Sequence, residues 1–194
     1  MRLRKTFALC VALAIAIALT GVAGCVDTRP ANAAIAAANA KSAKYSELDG
    51  AVGLLMDEAG AVELTPEGVK AGITKLDGAL AKLDERKVVV ADMRAAFATI
   101  PEMKVPEPVR EYARKQMAIA DLLLEMDEIN IALVTDTRAL YDLVASQSTD
   151  TAKAEELSAR IEQTAARLGE LDRQIAAAEQ EADNYFEEHD LGGK

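Results

Sequence analysis

The chain has 194 residues, of which 51% are hydrophobic, 28% charged and only 4% aromatic, with no Trp, one His and two Cys. That length suits one domain or two small ones with a real core, and 39 of the residues are Ala, which favours helices over a sheet. A net charge of −10 repels phosphate backbones and excludes nucleic acid as a partner.

Met1 to Lys5 carries three positive charges, and Phe7 to Leu19 (FALCVALAIAIAL) is an apolar run without a charge. A basic segment before an apolar one is the export-signal pattern, and the run is too short to span a hydrocarbon core of ~30 Å. Val22, Ala23, Gly24 and Cys25 follow it. They resemble the lipobox of bacterial lipoproteins: an aliphatic residue, two small ones and an obligatory Cys. The resemblance implies a diacylglycerol on the Cys25 thiol, removal of residues 1–24 by signal peptidase II and, in many bacteria, a further acyl chain on the new amino group. Two or three chains anchor stably where one is marginal.

Processing would also remove Cys10, so no disulfide framework could hold the mature chain. Losing Arg2, Arg4 and Lys5 takes the bases from 22 to 19 against 32 acids, a mature charge of −13. Residue 26 is Val, not the Asp that keeps enteric lipoproteins at the inner membrane. The resemblance therefore implies the periplasmic face of the outer membrane in a diderm, and the outer face of the plasma membrane in a monoderm.

Turn chemistry divides the rest. After a tether of residues 25–29, Pro30 opens an Ala-rich helix over 30–59. Gly60 to Leu64 breaks it, and Thr65-Pro66-Glu67 reads as an N-cap, a first-turn proline and a dipole-favoured acid, starting a helix over 66–99. Pro101, Pro106 and Pro108 form a loop before a helix over 108–146. The capping-rich Ser146 to Asp150 precedes a last helix over 151–188, within a bundle of residues 30–190, and 191–194 read as a frayed tail.

Each helix shows apolar residues at alternating steps of four and three. The last runs Leu157, Ile161, Thr164, Leu168, Leu171, Ile175, Ala178, Ala182, Tyr185. The third runs Tyr112, Gln116, Ile119, Leu123, Met126, Asn130, Leu133, Thr137, Leu140, Val144, with apolar flanks that make it the most buried. The second offers Val69, Ile73, Leu76, Leu80, Leu83, Val90, Phe97, and the first Tyr45, Leu48, Val52, Leu55, Ala59. Short connections make neighbours antiparallel, so the expected fold is all-α, an elongated up-down-up-down four-helix bundle roughly 50–60 Å long. If residues 30–44 are a stalk, a three-helix bundle with a helical lead-in is the alternative.

Little in the mature chain points to catalysis. It holds no Ser-His-acid set, phosphate loop, glycine fingerprint or CxxC. His189 has Tyr185 and Phe186, not carboxylates, one turn before it, so it reads as a solvated helix end, and no metal or cofactor is expected. Asp121, Glu125 and Glu128 form a stripe that reads as a solvated face, and Asn130 on the seam reads as a register device. Leu64-Thr65-Pro66-Glu67-Gly68 resembles the LTxxQ signature of small helical envelope-stress chaperones, but ends in Gly where that family has Gln and occurs once.

The topology places the proline loop and the C-terminus at the membrane end. There Phe97, Ile100, Met103, Val105, Tyr112, Tyr185 and Phe186 form a candidate apolar patch that plugs the bundle or meets headgroups. The turn Ala61, Val62, Glu63 and Leu64 at the far end is the candidate partner contact. The expected function is a membrane-anchored, non-catalytic interaction module bound to an envelope protein. The alternatives are a carrier holding an apolar ligand near Phe97, Tyr112, Tyr141 and Tyr185, and a coiled coil self-associating through the fourth seam.

Overall fold

The computed structural model describes residues 27–191. Among these, the chain is all-α: α1 (Arg29–Gly60), α2 (Pro66–Ala98), α3 (Glu107–Ala145) and α4 (Thr151–Glu188), with a short 3-10 turn at Ile100–Glu102. Each helix end falls within one residue of the position expected from turn chemistry. The reasons are local. The Gly68 N–H donates to Thr65 Oγ1 at 3.1 Å, so Thr65 is the N-cap of α2. A side chain at position 68 would collide with the Glu63 carbonyl, which is why a glycine stands there. Asp150 caps α4 by accepting from the Lys153 N–H at 2.9 Å.

The contacts divide the chain into two compact units. The first comprises the described residues 27–47, 89–121 and 177–191, and so holds the proline loop and the last described residues. Its core joins Ala31, Ile35 and Ala38 of α1 to Phe97 of α2, Ile100 and Val105 of the loop, Val109 and Ala113 of α3, and Leu191. The start of α1 is therefore packed, not a stalk. Ala31, Ile35 and Ala38 continue the four-and-three spacing upstream of Tyr45, and the two alanines let the backbones approach.

Leu191, expected in a frayed tail, is buried in this core. Asp190 takes a left-handed conformation with φ 47°, and the Leu191 N–H donates back to the Phe186 carbonyl at 3.2 Å. This is a Schellman closure, and it folds Leu191 onto the core as its apolar contact. The rest of the expected tail, 192–194, lies outside the described residues, as do the lipobox residues Val22, Ala23, Gly24 and Cys25.

The second unit comprises Leu48–Val88 and Leu122–Ala176 and contains both remaining turns. Its core gathers Val52 and Ala59 of α1, Leu76, Ala79 and Leu83 of α2, and Val134 of α3. Ion pairs between helices record the register. Asp49 and Glu58 of α1 pair with Arg86 and Lys75 of α2; Asp77 and Lys87 of α2 pair with Arg138 and Glu128 of α3; Glu125 and Asp136 of α3 pair with Arg167 and Arg160 of α4. In every case one number rises as the other falls, so neighbours are antiparallel.

The seam of α4 has the expected residues, all buried or half-buried between exposed ones. On α2 and α3 the expected Val69, Leu76, Leu83, Val90, Phe97, Ile119, Leu123 and Met126 are buried, and the seam departs from expectation at single positions. Gly72, Ala79 and Arg86 of α2 are buried, as are Val109, Ala113, Ala120, Asp127 and Val134 of α3, while Ile73, Leu80 and Leu133 are only half-buried. Periodicity alone favours the larger apolar residue of each neighbouring pair. Packing puts the smaller one at the centre, and the larger one covers the flank.

Candidate functional site

Arg86 and Asp127 stand at buried seam positions of α2 and α3, Asp49 flanks the buried Leu48 on α1, and the three meet in the second unit. The Arg86 guanidinium donates from Nε to Asp127 Oδ1 at 2.7 Å, and its Nη2 reaches the same oxygen. Its Nη1 donates to Asp49 Oδ1. The Arg86 and Asp127 side chains are 2% and 0% exposed and that of Asp49 is 23%. Asp127 Oδ2 is buried and accepts no hydrogen bond. Burial pushes both carboxyls above the usual aspartate range, against the pull of Arg86; the charge of Asp172 on α4 raises Asp49 further. Lys87 acts on Asp127 in the opposite direction.

This layer escaped the sequence reading, although α2 carries its signal. The apolar series there steps from Leu83 directly to Val90, and the skipped seam position is Arg86. Asn130, the polar seam residue that the sequence did single out, is half-buried. The stripe Asp121, Glu125, Glu128 is a solvated, paired face: Asp121 binds Arg94, Glu125 binds Arg167 and Glu128 binds Lys87.

At the 61–64 turn, Ala61, Glu63 and Leu64 are exposed, Leu64 to 73%. Val62 is half-buried and lies against Gly72. The turn is anchored on both sides, by the Thr65 cap and by Tyr141, whose hydroxyl donates to the Ala59 carbonyl at 2.8 Å and closes the end of α1. Gly72 makes room for the Tyr141 ring, which a side chain there would strike. Asp57, Glu63 and Glu67 are exposed about the turn, and no base lies between residues 57 and 69.

The seven residues of the candidate membrane-end patch do come together in the first unit, but as interior. Phe97, Ile100 and Val105 are buried members of its core; Met103, Tyr112, Tyr185 and Phe186 pack against it. Tyr112 and Phe186 stack tilted at 5.3 Å, and Lys115 Nζ sits 5.2 Å over the Tyr185 ring. Burial, with the charge of Asp183, pushes the Tyr112 hydroxyl up to about 12. Of the two readings, this packing fits the one in which the patch plugs the bundle: these side chains bury more area by facing α1 and one another than by facing outward. Of the four residues expected to line a ligand cavity, Tyr141 belongs to the second unit's core and the other three to the first. A groove of about 390 Å³ lies elsewhere, between Glu125 of α3 and Gln163, Ala166, Arg167, Glu170, Leu171 and Gln174 of α4.

Among the described residues no helix is long and apolar enough to cross a membrane, and no three His, Cys, Asp or Glu residues are grouped to hold a metal ion. His189 is exposed beside the Tyr185 ring. No protein-family model, curated protein or solved structure matches the chain.

Proposed function

We propose that this chain is a lipid-anchored, non-catalytic interaction module of a bacterial cell envelope. Cys25 carries the acyl anchor, and the turn from Ala61 to Leu64 is the element offered to a protein partner. The observation that carries the docking half of this reading is Leu64, a large apolar side chain left 73% exposed on a turn whose two ends are hydrogen-bonded in place. A side chain held out by an ordered turn binds with little loss of entropy. The acids around it select a partner whose contact surface is basic with an apolar recess. The anchor rests on the resemblance of Val22 to Cys25 to a lipobox.

A photo-crosslinking residue at Glu63 in the full chain, expressed in cells, tests both halves. The expected result is one discrete adduct that Leu64→Asp abolishes without loss of helicity. Cys25→Ala should move the chain from the membrane to the soluble fraction. An adduct that survives Leu64→Asp, or none at all, overturns the turn as the contact; membrane retention of the Cys25→Ala form overturns the anchor.

A further inference from the structure

The Asp49–Arg86–Asp127 layer combines one cation with two anions on three helices, with Arg86 and Asp127 buried on the seam and Asp49 at its flank. Its fixed charge with both carboxylates ionised is −1. The guanidinium donates from Nε to Asp127 Oδ1 and from Nη1 to Asp49 Oδ1, its Nη2 lies against Asp127 Oδ1 as an ion pair, and no donor reaches Asp127 Oδ2. A buried anionic oxygen with no donor is costly, and neutralising the group removes most of that cost. The groups that bear on the pair come from every helix: Asp49 from α1, Arg86 and Lys87 from α2, Asp127 from α3 and Asp172 from α4. Lys87 is itself drawn towards Glu128 at 3.3 Å, and Asp172 adds negative field, so the surroundings do not supply a second full cation.

We propose that this layer is a proton-binding site: one solvent proton adds to the Asp49/Asp127 pair, at Asp127 Oδ2, takes the layer from −1 to neutral and locks the three helices in register. The pair titrates as a unit, because the two carboxylates share one guanidinium. The folded chain holds this proton at a pH where the unfolded chain, with ordinary aspartates, has released it. Stability is therefore greatest near the ordinary aspartate range and falls as pH rises through the folded-state value. Exposed Asp27 and Glu156 are shifted the other way, and their contribution is lost only at pH below the ordinary carboxylate range, outside this window.

The test uses the full chain. Carbon-13 carboxyl spectra of the wild type are recorded against pH, with Asp49→Asn and Asp127→Asn assigning the resonances. The expected result is a coupled pair titrating above every exposed aspartate. Denaturant midpoints should rise on acidification from neutral pH in the wild type and in Glu162→Gln, which removes an exposed charge of the same unit, and the rise should be lost in Asp127→Asn. Asp49 and Asp127 titrating together with the exposed aspartates would overturn the proposal, a result that needs no folded variant. So would an undiminished rise in Asp127→Asn.

Discussion

The two units use the same four helices and are held in different ways. The first has an uninterrupted apolar core in which alanines bring helices close and Ile100, Val105 and Leu191 reach in from outside the long helices. The second has a core supplied by helices alone, and the buried charged residues Arg86, Asp127 and Asp136 all belong to it. Loop and terminal residues fix the register of the first, because a slip would drag them out of the core. The second has no loop or terminal residue in its buried apolar core. A seam of Ala, Val and Leu packs nearly as well one heptad away, and a charged layer that works in one register only removes that degeneracy. Its cost in stability is the cost of specificity.

Breaking each device separately tests the contrast. Arg86→Met removes the one cation and leaves two carboxylates in the core, which costs about 3–5 kcal/mol. Hydrogen exchange should locate the loss in 48–88 and 122–176. Replacing Asp49, Arg86 and Asp127 together by apolar residues should recover most of the stability, with doubled amide resonances reporting mixed register. Full recovery with a single set of resonances would refute the register role. Ile100→Ala is the counterpart in the first unit. It opens a cavity under the proline loop and costs about 2–5 kcal/mol, with faster exchange in 89–121 and 177–191.

The helices and their ends were legible in the sequence because each end is written in local chemistry: Pro66 after a Thr65 cap, and Asp150 before α4. The seam of α4 was legible because its exposed face is so polar that only one stripe could be inside. On α2 and α3 apolar residues occupy neighbouring positions, and the choice between Ala79 and Leu80 depends on how closely the next helix approaches. No local window contains that distance. The charged layer was hidden for the same reason. Arg86 looks like any surface arginine until Asp49 and Asp127, 37 and 41 residues away, are brought to it. The turn from Ala61 to Leu64 was legible as an apolar break between two helices, but that Val62 turns in against Gly72 while Leu64 stays out was not.

The smallest effect concerns how α3 ends in the second unit. Gln147 takes a left-handed conformation with φ 53°, while the Gln147 and Ser148 N–H groups donate to the Val144 and Leu143 carbonyls at 3.0 and 2.9 Å. It is the same closure that Asp190 makes in the first unit, but glutamine lacks the short side chain that eases aspartate into this region. Gln147→Gly removes a penalty of roughly 1–2 kcal/mol and loses roughly 0.4–1 kcal/mol to the freer unfolded chain, so it should stabilise by about 0.5–1 kcal/mol. Gln147→Ala keeps the Cβ and the strain, and should leave the denaturation midpoint where it is or lower it. If both substitutions raise the midpoint equally, the gain comes from removing the glutamine side chain, and backbone strain at the end of α3 is not what limits the second unit there.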